Sequence, residues 1–441
     1  MAAIAQTLET IVGSEGICPW EQLDNSLQQQ LLQSVTPKED PSPPVRCVVY
    51  PSTQDALAEV MACAHQHRWR VLPCGSGSQL SWGGLAVGAD VAISTQRLNR
   101  LLDHAVGDLT FTAEAGMKWV DVQTYLDPKQ QLLALDPTYP KAATLGGMVA
   151  TADAGSLRQR YGSIRDMLLG ISFVRSDGQI AKAGGRVVKN VAGYDLMKLL
   201  TGSYGSLGMI SQVTFRLYPR LPASRTVVIT GTRNAIAAAT QAVRSSSLSP
   251  VALDLLPASL ASDLQLGTEM ALIAQFQSIP ESVQEQCRHL AEMVAPHSLA
   301  LAELVDAEEA SLWQRLKAVM APPLTEVDVL CKIGVLPAQA ADWLASLAQQ
   351  HPQARALIHA GSGLGRLYLP SGEDLIPTLQ SLRSQCQTSG GFLTLLQAAP
   401  SVKQQVDVWG YTGNAFALME KLKHQFDPLG LLSPQRFVGG L

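Results

Sequence analysis

The sequence predicts an α+β protein built from two main domains, and three observations carry that expectation. The chain has 441 residues, 46% of them hydrophobic and 16% charged, enough for two or three packed cores at about 100–200 residues per domain. Short β-branched runs alternate with stretches of helical period in the first half of the chain. Beyond residue 220 the texture shifts to Ala/Leu/Gln-rich segments in which helices alternate with short strands, the pattern of a second α+β domain.

Composition excludes several classes. Net charge is 33 − 37 = −4 and no basic run occurs, so a nucleic-acid partner is not expected. No stretch of 18 apolar residues is present, so no membrane span is expected. The start, MAAIAQTLETIVGSEG, lacks a positive region followed by an apolar core and does not read as a signal peptide. Cysteines 18, 47, 63, 74, 287, 331 and 386 form no CxxC pair and no Cys/His metal spacing, the usage of reduced thiols in a cytoplasmic protein.

Taken in order, residues 1–42 read as a helical arm, with Leu23, Leu27, Leu31 and Leu32 at helical spacing, closed by the stiff PSPPV (41–45). Residues 43–220 form the first domain. RCVVYP (46–51) reads as a strand, residues 52–69 as a helix with Ser52 as its N-cap, and RVLPC (70–74) as a strand entering a Gly/Ser loop. ISFVRSDG (171–178) and MISQVTFRLYP (209–219) are strands, the second alternating up to Pro219. Residues 221–400 form the smaller second domain. Its helices fall near 234–247, 280–295, 306–320 and 337–350, with strands at TVVITG, ALIAQF, LCKIGV, ALIHAG and RLYLP. The tail, 401–441, holds an amphipathic helix and a Pro/Gly-punctuated strip, and is expected to pack back on the first domain.

Three glycine-rich elements could carry chemistry. In PCGSGSQLSWGG (73–84), Pro73 leads into Gly75, Ser76, Gly77, Ser78 and Gln79; successive amides there can curl into an anion nest, with hydroxyls as further donors. A tight turn after a strand would look the same, and the loop fits neither GxGxxG, since Leu80 occupies the third glycine, nor a P-loop, since it has no lysine. In the second element, Thr144, Leu145, Gly146 and Gly147 would open a helix whose free amides suit a phosphate, followed by Ala154, Gly155, Tyr161 and Gly162. The bland reading is a helix cap with glycines for close packing. The third element is GGRVVKNVAGYDLMKLLTGSYGSLGMISQVTF (184–215), which contains Gly208 and Ile210.

All three elements, in order and spacing, resemble the flavin-binding domain shared by vanillyl-alcohol oxidase, p-cresol methylhydroxylase and D-lactate dehydrogenase. The KNVAGYD segment (189–195) resembles most the FAD-binding E subunits of glycolate oxidases. The resemblance is strong over roughly 45–220 and moderate over 426–437. It implies that residues 73–79 wrap the FAD pyrophosphate, that Thr144, Leu145, Gly146 and Gly147 meet it from the other side, and that Ala154, Gly155, Tyr161 and Gly162 leave room for flavin and ribityl. It also implies that Ile210, after Gly208, meets adenine through its backbone. Some relatives attach FAD through a histidine just after the first glycines; here Ser76, Gly77, Ser78 and Gln79 stand there, which implies non-covalent FAD. The second domain would be the family's cap, over the isoalloxazine.

Relatives active on D-lactate and 2-hydroxyglutarate carry HxGDGNxH and a downstream Glu-His-Gly that bind a divalent metal and the hydroxy acid. Here the corresponding segment is HAGSGLGR (359–366), with Ser362 for the acid and Arg366 for the second histidine, and FLTLLQAAP follows the glycines at 390–391. Neither replacement is an equivalent metal ligand, so no metal is expected, His359 reads as structural and the catalytic base is unknown. Lys189 and Asp195 read as a pair ordering the flavin floor. The resemblance therefore implies an FAD-holding subunit of a complex that oxidises a 2-hydroxy acid, glycolate or D-lactate, beside a catalytic flavoprotein subunit and an iron–sulfur subunit. The alternatives are a self-sufficient FAD-dependent dehydrogenase and a non-catalytic scaffold.

Overall fold

The computed structural model describes residues 2–37, 42–186, 193–321, 328–372 and 374–441. The chain divides into two units. Met1–Ala154, Ser163–Pro219 and Ala398–Leu441 make the first; Gly155–Gly162 and Arg220–Gln397 make the second.

The first unit begins with helix α1 (Ala2–Val12), strand β1 (Ile17–Pro19) and helix α2 (Asn25–Ser34). The sequence reading makes residues 1–42 a helical arm, but the structure interrupts it. Gly13, at φ 73°, ends α1, and β1 pairs antiparallel with β2 (Cys47–Val49), Ile17 opposite Val49. Helix α3 (Gln54–His67) follows, then β3 (Val71–Cys74) and β4 (Val91–Ser94), giving a sheet of order β1-β2-β4-β3 in which β4 is parallel to both neighbours. The N-cap of α3 is Thr53 rather than Ser52: its hydroxyl accepts from the Ala56 amide at 3.1 Å. Leu8, Leu57, Met61, Val71 and Ile93 share the core between α1, α3 and this sheet.

The second sheet of this unit uses β5 (Leu101–Ala105), β6 (Thr110–Glu114), β8 (Leu168–Val174), β9 (Ile180–Gly184) and β10 (Met209–Arg216) in the order β5-β6-β10-β8-β9. Short strands β7 (Gln131–Leu132) and β11 (Tyr218–Pro219) pair separately. The alternation expected of β10 is muted because it is the central strand, buried along most of its length. Helix α4 (Trp119–Leu126) precedes helix α5 (Leu145–Thr151), which packs on β10. The tail returns to this unit through a parallel bridge between Val71 and Leu432; the Val71 amide donates to Leu431 O and the Ser433 amide to Val71 O.

The second unit holds an antiparallel sheet of β12 (Ala223–Gly231), β13 (Ala252–Leu256), β14 (Met270–Ser278), β15 (Ala300–Leu304), β16 (Val329–Gly334), β17 (Arg355–His359), β18 (Leu364–Leu369) and β19 (Phe392–Gln397), ordered β15-β12-β14-β13-β17-β18-β16-β19. Helices Arg233–Arg244, Pro280–Val294, Asp306–Met320 and Ala340–Gln350 fall where helical spacing places them. Among the described residues no helix is long and apolar enough to cross a membrane.

Candidate functional site

The loop leaving β3 lies at the C-terminal end of a parallel strand, where an α/β arrangement exposes backbone to a ligand. It borders a cleft lined by Pro73 to Leu80, residues of α5 and its cap, Tyr204, Gly205, Gly208 to Ile210, and Arg436. Among the described residues, the amides of Gly75, Ser76, Gly77, Ser78 and Gln79 donate to no other backbone group. A run of five open donors beside a cleft can receive an anion. Gly77 holds φ 86°, which turns the run back on itself. Gly75 is required for close approach: a Cβ there would lie 2.2 Å from Thr144 Oγ1.

The hydroxyls divide in their roles. Ser76 Oγ is committed to Ala142 O at 2.5 Å and is a strut rather than a ligand donor, whereas Ser78, also on the cleft wall, carries no such bond among the described residues. Gln79 is fixed from both ends. Its Nε2 donates to Asp153 Oδ2 at 2.5 Å and its Oε1 accepts from Thr151 Oγ1 at 3.0 Å. Asp153, 2% exposed, also accepts from the Thr138 amide and Thr138 Oγ1, both at 2.9 Å. A buried carboxylate with several donors is a rigid anchor, so the loop's curvature is set before any ligand arrives.

One sequence expectation fails at α5. Thr144 does cap the helix, yet the first-turn amides are not free: Leu145 N donates to Met117 O, Gly146 N to Ala115 O and Gly147 N to Thr144 Oγ1. The helix start is spent on holding the fold, and the glycines serve approach; a Cβ on Gly146 would lie 2.8 Å from Ala115 Cβ. Of the residues singled out in the sequence, Pro73, Gly75, Ser76, Gly77, Ser78, Gln79, Thr144, Gly146, Gly147, Gly208 and Ile210 line the cleft. Leu145 is buried in the core, and Ala154 is not on the cleft wall. Gly155, Tyr161 and Gly162 belong to the second unit. Residues 189–192 of KNVAGYD, Lys189 included, lie outside the described residues; Asp195 pairs with Lys198 Nζ at 2.5 Å.

Sequence reasoning missed Thr95, Thr151, Tyr204, Gly205 and Arg436 on the same wall. Tyr204 and Gly205 lie inside the quoted GSYGSLG string, but Arg436 comes from the far end of the chain, and nothing local marks it. Its side chain is 3% exposed, and Nη2 donates to Leu80 O and, at 2.8 Å, to Trp82 O. Burial lowers its pKa to about 10. Cys74 also borders the cleft; burial pushes its thiol up to about 12, so it is a neutral packing group that donates to Ile93 O at 3.5 Å.

In the second unit His359 ends β17 as a buried side chain whose Nδ1 lies 2.7 Å from Asp254 Oδ1. Asp254, fully buried on β13, also accepts from Ser156 Oγ at 2.5 Å. The pair ties segment 155–162 to the sheet and fixes the imidazole's tautomer and tilt. Ser362 and Gly363 donate their amides to His359 O, closing a turn. Among the described residues no group of three or more His, Cys, Asp or Glu could hold a metal ion.

Comparison with known proteins defines the class. A family model described as an FAD binding domain matches residues 45–184, the stretch that builds β3, its open loop and α5. The chain superposes on p-cresol methylhydroxylase with a TM-score of 0.76 at 12% identity, covering 98% of this chain and 96% of that one. The fold is that of this group of flavoproteins, and the cofactor of the first unit is FAD. More particular likeness is confined to part of the chain. It is 32% identical over 170 residues to the mitochondrial D-lactate dehydrogenase [cytochrome] of Arabidopsis thaliana, covering 38% of this chain and 30% of that one. It is 35% identical over 170 residues to glycolate oxidase subunit GlcE of Escherichia coli (strain K12), covering 38% and 48%. The matched stretch spans less than half the length of these curated relatives.

Proposed function

We propose that this chain is the FAD-holding subunit of a glycolate oxidase-type assembly that oxidises a 2-hydroxy acid, glycolate or D-lactate, with a second flavoprotein subunit and an iron–sulfur subunit as partners. The observation that carries the reading is the open run of amides at 75–79 beside the cleft, anchored through Gln79 to Asp153. It fits a dinucleotide's diphosphate in a domain that matches an FAD binding family, and a relative of similar sequence is a glycolate oxidase subunit. FAD held there would supply the chemistry of hydride acceptance from the α-carbon of a hydroxy acid. The chain's own residues bind and orient. The 75–79 amides receive the diphosphate, Gly75 and Gly146 let the loop and α5 pack closely against Thr144 and Ala115, and Asp153 holds the loop in shape. No histidine or cysteine follows the first glycines of that loop, which supports non-covalent attachment.

The segment HAGSGLGR supports dependence on a partner for substrate chemistry, since Ser362 and Arg366 replace an acid and a histidine. One observation favours a self-sufficient dehydrogenase: Asp254 orients the His359 imidazole as a base would be oriented. Anaerobic addition of glycolate or D-lactate to the FAD-loaded chain alone separates the two. Flavin that stays oxidised alone and bleaches once the partner subunits are added supports the subunit reading; bleaching without partners overturns it in favour of the self-sufficient enzyme.

A further inference from the structure

The tail contributes two buried basic groups with no carboxylate partner among the described residues. Lys403, 7% exposed, directs Nζ to Ser81 O, and Arg436, 3% exposed, directs its guanidinium to Leu80 O and Trp82 O. All three acceptors are carbonyls of the segment that continues the open loop. Neither cation forms an ion pair with a carboxylate among the described residues, and Arg436 Nε and Ser81 Oγ are buried with no hydrogen-bond partner. The titratable groups facing them are each other, Cys74 and Tyr204. Contrast Lys423 on the same tail. It is also buried, but Asp427 Oδ2 lies 2.6 Å from its Nζ, and Ser206 O and Leu432 O complete its shell.

Burying one charge without a partner is costly, and burying two of like sign together is more so. The fold therefore sets two like-charged groups beside each other, and one of them, Arg436, lines the cleft. We propose that Lys403 and Arg436 are the counter-charges of the FAD diphosphate, so that cofactor binding and docking of the tail onto residues 80–82 stabilise one another. This rests on FAD occupying the cleft. By reciprocity, whatever the anion gains from the docked tail, the tail gains from the anion. Leu431 and Ser433 are bonded to Val71 through backbone groups that involve neither cation, so the coupling is expected in the stretches around Lys403 and Arg436. Burial, then Arg436, lowers the Lys403 pKa to about 7, in keeping with a site short of negative charge.

Hydrogen exchange of the full-length chain, with and without FAD, reads the coupling directly. FAD is expected to slow exchange at least tenfold around residues 400–409 and 434–437. Lys403→Met, which removes the charge but keeps the length, is expected to slow exchange there without FAD and to weaken FAD binding at least tenfold; Arg436→Met is expected to weaken it as well. FAD binding equal to wild type in both variants, with tail exchange indifferent to FAD, overturns the proposal. If the wild-type chain takes up no FAD, the FAD reading falls separately, and inorganic pyrophosphate decides. Slowed tail exchange in the wild type but not in Lys403→Met sustains the counter-charge site, and no slowing in either overturns it.

Discussion

Asp153 gives the account's most quantitative test. Its carboxylate is 2% exposed and accepts from Gln79 Nε2, the Thr138 amide and Thr138 Oγ1. Asp153→Ala leaves those three donors buried around a small void. Hydrogen bonds to a charged group contribute about 1.5–3 kcal/mol each, though not additively, and breaking a buried charged network costs about 3–5 kcal/mol in all. A loss of about 3–5 kcal/mol is the expectation, which lowers the melting temperature by about 3–5 °C for 441 residues unfolding together. The loop effect is separable. With Gln79 released, the 75–79 amides lose their fixed curvature, and FAD affinity falls at least tenfold, or about 1.4 kcal/mol. Asp153→Asn keeps one acceptor and the volume, so it recovers more than half of both losses. Denaturant unfolding of the FAD-free chain and flavin-fluorescence titration measure the two quantities. An Asp153→Ala chain within about 1 kcal/mol of wild type, with unchanged FAD affinity, would refute the anchoring role.

Other perturbations follow the same geometry. Gly75→Ala places a Cβ 2.2 Å from Thr144 Oγ1, so the loop or the α5 cap must shift; the expectation is about 1–3 kcal/mol of lost stability and at least tenfold weaker FAD binding by titration. Asp254→Ala leaves Ser156 and His359 without their shared acceptor and is expected to cost about 3–5 kcal/mol in thermal unfolding. The pH dependence has a definite sign. Lys403 falls from 10.5 unfolded to about 7 folded, so above pH 7 the unfolded chain binds the extra proton and stability rises with pH. The gain approaches about 1.4 kcal/mol per pH unit between pH 7 and 9. Above that, Cys47, Cys287 and Cys386, whose thiols burial raises to between about 11 and 12, work in the opposite direction. FAD-free Lys403→Met should lack that rise in chemical denaturation.

Much of the architecture was legible because it rests on local signals. Glycines mark the loop after β3, Thr144 marks the start of α5, and helical period marks the long helices of the second unit. What escaped depends on distant partners. Strand β13 is buried along its whole length, and β15 is an Ala/Leu-rich edge strand whose composition reads as helix. The helical arm failed because β1 is held as a strand by β2, a segment some 30 residues on. In the site, the amides of 75–79 were foreseeable from glycine spacing. The amides of α5 were misjudged because their acceptors, Ala115 and Met117, are distant in sequence. Arg436 and Lys403 were invisible for the same reason: a lone cation in a tail says nothing until the tail is placed.

The most direct test of the central claim is the visible spectrum of the purified chain after incubation with FAD, gel filtration and acid precipitation. The account predicts one oxidised flavin per chain that survives filtration and is released to the supernatant by acid, with Gly75→Ala passing the column colourless. A wild-type chain that emerges colourless from saturating FAD would contradict it.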